Sequence, residues 1–267
     1  MARMQRLLWD DKWIVRDLND LRCARVMLNK RDVSMRVLFV TPFYEPAWAY
    51  GGVARANVAW ARALAAAGIS VSVWTTTANG DRELGLPRGL PLEYNGVQVI
   101  YYPRWRWSGN GFVSPDLLQA CHTKLAEYDV VHAVGLWTLP SVAATFNSRR
   151  EDVPYVISLH GMLMPWALRH HSFHKGLFFI CIERPRLARA NAVICTSELE
   201  KQHFADLGIS NRGEVVPNVV DVANVVPVPA RFRERYNLQK VTSQKSGVWG
   251  FASGRSPLAN PHLPPNY

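Results

Sequence analysis

Short apolar runs alternate with stretches of helical period along most of this chain. Val37 to Thr41, Ser70 to Thr76, Val97 to Tyr102, Val130 to Val134, Tyr155 to Leu159, Ala192 to Thr196 and Glu214 to Val216 are brief and rich in Val, Ile and aromatic residues. Runs of this length bounded by Gly, Pro and Asn predict strands, and the more continuously apolar ones predict burial on both faces. Between them the period changes. From Val53 the residues are mostly good helix formers, and Gly68 stands where a left-handed C-terminal cap belongs. Ser114 before Pro115 supplies an N-cap and a proline at the first helical position, predicting a helix to about Tyr128. Further helices are expected over Pro140 to Ser148 and in a basic, aromatic stretch from about Phe173. Ser197 with Glu200 three residues on reads as a capping box opening a helix that ends near Gly208. Asn79-Gly80-Asp81 begins a polar loop that contains Pro87 and Pro91.

Strands alternating with helices at this spacing predict an α/β fold: a Rossmann-like, doubly wound, mostly parallel sheet covered on both faces. Ligands of such sheets gather at the carboxyl ends of the strands. Polar and glycine residues fall at those ends here: Gly51-Gly52 after the first strand, Gly135 and Trp137 after the fourth, His160-Gly161 after the fifth and Ser197 after the sixth. The unit from Met35 to Gly68 is strand, glycine turn, helix. Its paired glycines have two readings, a tight turn and nothing more, or a loop aiming free N–H groups and a helix dipole at a diphosphate.

Composition and charge narrow the function. With 48% hydrophobic and 19% charged residues, the chain is an ordinary globular one. The net charge of +10 lies mostly at the ends: residues 1–34 hold 8 basic against 5 acidic residues, residues 35–230 hold 17 against 15, and residues 231–267 hold 6 against 1. A nearly balanced centre argues against a nucleic-acid partner. The 4 cysteines, Cys23, Cys121, Cys181 and Cys195, lack the spacing of a zinc site or a disulfide framework, and Cys195 in its apolar run reads as a small core residue. No apolar stretch approaches a membrane span, and Asp10, Asp11, Lys12 and Arg16 occupy the place of a signal-peptide core. A cytoplasmic protein is expected.

Residues 1–34 do not match the fold that follows, and two readings stand: a start assigned upstream of the true one at Met35, or a peripheral element with a short helix over Leu18 to Leu28. Residues 35–230 form the expected Rossmann-like domain. Residues 231–267 are rich in Ser, Gly, Pro and Asn towards their end and read as an irregular tail or the out-of-frame end of an interrupted gene.

Four ordered motifs carry a family resemblance. They are Met35-Arg-Val-Leu-Phe-Val-Thr-Pro-Phe-Tyr-Glu-Pro46 followed by Gly51-Gly52-Val-Ala-Arg55, Ser158-Leu-His-Gly-Met-Leu-Met-Pro-Trp-Ala-Leu168, Ala192-Val-Ile-Cys-Thr-Ser-Glu198, and Val216-Pro-Asn-Val-Val-Asp221. Together they resemble the N-terminal, acceptor-side half of family 4 retaining glycosyltransferases with the GT-B fold, over about residues 35–238. The resemblance implies two Rossmann-like domains facing across a cleft, the N-terminal one receiving mainly the acceptor and the C-terminal one holding most of a nucleotide-sugar donor. It implies transfer of a hexose to a glycan or lipid-linked acceptor with retention. By position, His160 corresponds to the active-site histidine; Gly51, Gly52, Ser197 and Asn218 fall on the donor side; Tyr44, Arg55 and Trp137 fall on the acceptor side. Asn218 matches a Pro-Asn-Gly-Val-Asp hinge in which Val219 replaces the glycine, a change that disfavours positive φ.

No motif calls for a metal or a cofactor, the nucleotide sugar being a substrate. Tyr101-Tyr-Pro-Arg-Trp-Arg-Trp107 and Trp166 to Arg189 combine aromatic and basic residues, which suits either solvated loops or peripheral contact with the inner face of a membrane. The family's second domain supplies a basic pair and a Glu-rich motif, and nothing after Tyr236 resembles either. Activity of this chain alone is left open, with a non-catalytic acceptor-binding module or truncated pseudo-enzyme as the alternative. A dehydrogenase fits poorly, because the first loop lacks Gly-x-Gly-x-x-Gly.

Overall fold

The first strand shows how the chain divides its apolar residues. Leu38 and Val40 of β1 (Arg36–Val40) point into one core, while Val37 and Phe39 point into another on the opposite face. That alternation is the period-2 geometry of a strand, and a run apolar at every position is stable only where both faces are covered. The computed structural model describes residues 35–107, 112–169, 176–211 and 213–218, all within one compact unit. The expectations for residues 1–34 and 231–267 lie outside it.

After β1 come α1 (Gly52–Ala66), β2 (Ser70–Thr76), β3 (Ala78–Asn79), β4 (Arg82–Glu83), β5 (Pro91–Tyr94), β6 (Val97–Tyr102) and α2 (Pro115–Lys124). The chain continues with β7 (Val130–Val134), α3 (Leu139–Arg150), β8 (Tyr155–Ser158), α4 (Pro165–Arg169), α5 (Arg184–Arg189), β9 (Ala192–Cys195), α6 (Glu198–Asp206) and β10 (Gly213–Val215). Eight strands make one sheet in the order β10-β9-β8-β7-β1-β2-β6-β5, and only β5 runs antiparallel to its neighbour. From β1 the chain moves outward through β2 to β6, then returns to place β7 on the other side of β1. The order therefore reverses between β1 and β7, the position at which doubly wound sheets open a crevice beyond their strand ends.

Helix α1 covers one face through Ala54, Val58, Trp60 and Ala61. Leu117 and Cys121 of α2, Ala144 of α3, Leu187 of α5 and Phe204 of α6 cover the other. The strand expectations agree with the structure to within a residue at each end, and three differences have local causes. Pro91 opens an antiparallel edge strand, where a missing N–H costs no ladder bond, and Asn95 and Gly96, with φ of 51° and 78°, form the tight turn into β6. Gly80 and Asp81 turn the small β3–β4 hairpin inside the expected polar loop. In the basic stretch, α5 follows a wider π-turn, Phe179–Glu183, because Pro185 has no N–H to give the carbonyl one helical turn back.

The edge at β10 is closely fitted. A Cβ added at Gly213 would lie 2.8 Å from Cys195 Sγ and 3.2 Å from a ring carbon of Phe204, both buried. Gly213→Ala is expected to lower stability by about 1–3 kcal/mol through overpacking, read as a lower urea midpoint with an unchanged slope. An unchanged midpoint would show that this edge can shift freely.

Candidate active site

The loop from β1 to α1 is fixed before it reaches its glycines. Thr41 N donates to Trp74 O at 3.1 Å, and Thr76 Oγ1 donates to Pro42 O at 2.6 Å. Phe43 stacks on Tyr50 with ring centroids 4.1 Å apart, and Phe112 meets both rings edge-on. Tyr101 donates its hydroxyl to the Glu45 carbonyl, while Arg62 Nη2 donates to both carboxylate oxygens of Glu45 at 2.9 and 2.7 Å. Gly51 then takes φ 64° and ψ −132°, a conformation that glycine adopts without strain. A Cβ at Gly51 or Gly52 would meet nothing within 4 Å, so both glycines border open space. Helix α1 starts here with no capping side chain. Its first-turn N–H groups have no intrahelical acceptors and sit at the positive end of the helix dipole.

Across the switch point, the end of β7 packs against the turn after β8. Gly135 N donates to Ser158 O at 2.9 Å, Leu136 N lies 3.1 Å from Met162 Sδ, and a Cβ at Gly135 would lie 3.0 Å from the Met162 methyl. Trp137 takes φ 65°, a left-handed conformation for a bulky residue. Its N–H donates to Glu183 Oε1 at 2.8 Å. The buried Glu183 also pairs with Arg186, which donates to Thr145 Oγ1 and Ser141 Oγ, each at 2.7 Å. Burial pushes the Glu183 carboxyl up and the Arg186 guanidinium down, and their pairing opposes both shifts. The pair thus holds the β7–α3 loop against the π-turn.

His160 follows β8 with φ 49°, and neither ring nitrogen has a hydrogen-bond partner although both are buried. Its ring lies 6.1 Å from Trp60, which in turn lies 5.6 Å from His132, and His132 lies 4.4 Å from Phe39. His132 Nε2 is 2.5 Å from Ser158 Oγ. Burial lowers the proton affinity of His160, with the charge of Glu200 opposing, so the imidazole is held neutral near pH 7. Just beyond the next strand, Ser197 Oγ caps α6 by accepting from Glu200 N at 3.2 Å. The expected capping box is only half made, because the Glu200 carboxylate accepts from Thr196 N, Thr196 Oγ1 and Gly161 N instead.

Gly51, Gly52, Trp137, His160 and Ser197 therefore follow the carboxyl ends of four consecutive strands, β1, β7, β8 and β9. Arg55 is exposed one turn into α1, its guanidinium 5.3 Å from the centre of the Trp48 ring. Tyr44 does not join the exposed rim: it is fully buried beneath the loop, and its hydroxyl is unpaired. Asn218 is exposed past β10, two strands beyond β8, and Val219 lies outside the described residues. Of the aromatic and basic stretches, Trp105 and Trp107 stack at 5.2 Å, and Trp107, Trp166, Leu177 and Ile180 are exposed. No helix among the described residues is long and apolar enough to cross a membrane.

Sequence reasoning missed Trp60, His132 and Glu183 as parts of this region, and it placed Glu200 only as a helix cap. A histidine inside the apolar run Val130 to Val134 was the one visible signal; the others become neighbours only through the fold.

His132 makes the fold sensitive to acid. Burial, with a smaller contribution from His160, lowers it from 6.5 to about 3, so between these values the unfolded chain binds a proton that the folded chain refuses. Stability from this group is intact above pH 6.5 and falls as pH drops towards 3, by about 2–3 kcal/mol over the first two units. Denaturant midpoints at pH 7 and 4.5 should show that loss, and His132→Gln should flatten the pH slope whatever its effect at pH 7. An equal slope in both proteins would contradict the assignment.

Comparison with known proteins places the sequence in a family. The model for Glycosyltransferase Family 4 matches residues 50–224. No curated protein matches the chain. Among solved structures, sucrose-phosphate synthase from Thermosynechococcus elongatus is 16% identical, with a TM-score of 0.49, 77% of this chain covered and 53% of the other. A glycosyltransferase from Rickettsia africae is also 16% identical, with a TM-score of 0.39 and coverage of 79% and 51%. A structure described as trehalose-6-phosphate from E. coli bound with UDP-2-fluoro glucose is 13% identical, with a TM-score of 0.41 and coverage of 76% and 54%. This chain spans about half the length of these structures. With its family model matched over most of the sheet and its strand-end rim, the chain belongs to Glycosyltransferase Family 4.

Proposed function

We propose that this domain is the acceptor-side half of a GT-B glycosyltransferase that moves a hexose from a nucleotide sugar to a glycan or lipid-linked acceptor with retention. The observation that carries the reading is His160, a left-handed residue with two unpaired ring nitrogens, standing at the switch-point rim with the Gly51-Gly52 loop. In the reaction, the bond from the anomeric carbon to the diphosphate oxygen breaks and a bond to the acceptor oxygen forms, the acceptor proton passing to the departing diphosphate. Negative charge grows on the diphosphate. Backbone N–H groups at the start of α1 can stabilise that charge with no side chain in the way, because a Cβ at either glycine would meet only open space. A neutral imidazole can both donate to and accept from sugar hydroxyls near the transfer point. Retention and the two-domain arrangement rest on the motif resemblance.

The test joins this chain to the donor-side domain of a family relative and measures hexose transfer and the anomeric configuration of the product. His160→Ala is expected to lower kcat by about 100-fold or more, the scale of removing a positioned polar group at a reacting centre. An unchanged rate would remove His160 from the chemistry, and an inverted product would remove retention. Calorimetric titration of the unfused chain bears on the rival class, since nucleotide-sugar binding stronger than glycan binding would exclude a non-catalytic acceptor module.

A further inference from the structure

Glu200 is placed as a helix-capping residue, yet its carboxylate serves two other strand ends. It is 3% exposed, and its own N–H is taken by Ser197 Oγ at 3.2 Å. One carboxylate oxygen accepts from Thr196 N at 2.5 Å and Thr196 Oγ1 at 2.9 Å, both at the end of β9. The other accepts from Gly161 N, the amide of the peptide that follows His160. We propose that Glu200 is a positioning residue for His160, its carboxylate tying the His160–Gly161 peptide to the end of β9 and so holding the histidine in its left-handed conformation on the rim. The proposal rests on the reading of His160 as the group at the transfer point.

The geometry supports a specific clamp over general packing. His160 and Gly161 take φ of 49° and 78°, two successive left-handed residues, the first of which carries a side chain that disfavours that region. Such a conformation persists only where its surroundings over-determine it. The His160 ring cannot supply the restraint, because both its nitrogens lack hydrogen-bond partners. Glu200 can, through a charge-assisted bond to the adjoining amide, an interaction stronger than one between neutral groups. A second contact runs from the same helix to the same turn: His203 Nδ1 lies 3.1 Å from Met164 Sδ. The charged or titratable groups coupled to His160 are Glu200 from α6, which favours its protonated form, and His132 from β7, which is linked to it electrostatically.

The experiment uses the full chain without ligand, so its outcome does not depend on activity. Nuclear magnetic resonance reads the hydrogen-exchange rate of the Gly161 amide and the titration of the His160 ring in wild type, Glu200→Ala, Glu200→Gln and Glu198→Gln. Glu200→Ala should speed Gly161 exchange at least tenfold and shift the His160 ring signals. Glu200→Gln keeps an acceptor oxygen and should restore much of the protection, while moving the His160 midpoint to lower pH because the charge is lost. Glu198→Gln removes an exposed charge from the same first turn and should change neither readout. If Glu200→Ala fails to fold, the Gln variant decides alone. An unmoved His160 midpoint in Glu200→Gln, unchanged Gly161 exchange in a folded Glu200→Ala, or an equal response in Glu198→Gln each overturns the proposal. If these readouts behave as expected while His160→Ala keeps full transfer activity in the fused enzyme, the clamp stands and the catalytic reading falls.

Discussion

The central strands β1, β7 and β8 each pair in parallel with a neighbour on both sides, and apolar cores cover both faces of the sheet. Their backbone groups are committed to the ladder and most of their side chains to packing, so polar chemistry has little room except at the strand ends. The reversal of strand order between β1 and β7 decides which end can hold a ligand, because there the connections leave in opposite directions and the rim is uncovered. The glycine loop, Trp137 and His160 owe their common location to this one topological fact.

Being at the rim does not by itself fix a loop. The backbone at Gly51, Gly135, Trp137, His160 and Gly161 takes positive φ, and three acidic residues brace the segments concerned. Glu45 binds Arg62 through its carboxylate and Tyr101 through its carbonyl, beneath the glycine loop. Glu183 accepts from Trp137 N while its charge is met by the buried Arg186. Glu200 joins the turn after β8 to the end of β9. A buried carboxylate is costly to desolvate unless well supplied with donors, and each of these three is so supplied. The cost of burial is offset by fixing backbone in positions it would otherwise leave, which is what a preorganised site requires.

The sheet could be read from the sequence because its signals are local. Val130 to Val134 and Val97 to Tyr102 carry their strand character in their own side chains, and Ser114-Pro115 announces its helix within two residues. The β5 strand is harder to read although Asn95-Gly96 is a hairpin signal, since Pro91 suits a loop as well as the edge strand it opens. Tyr44 looked available in the loop motif, but its burial is decided by packing under that loop. Ser197 and Glu200 have capping-box spacing, and only the fold shows that the carboxylate reaches Gly161, 39 residues away in sequence. Pairings at that range leave no periodic trace in a single chain. The rim was therefore legible in outline, and its bracing was not.

The most direct test of the central claim, that the strand-end rim of this domain is where a nucleotide sugar meets the acceptor half, is amide chemical-shift mapping of the full chain titrated with nucleoside diphosphates and nucleotide sugars. The expected result is saturable perturbation concentrated at Gly51, Gly52, Gly135, Gly161 and Ser197, with the interior of β1 and β7 unaffected. Perturbation centred on another surface, or none at these amides at concentrations where binding is detected, would contradict it.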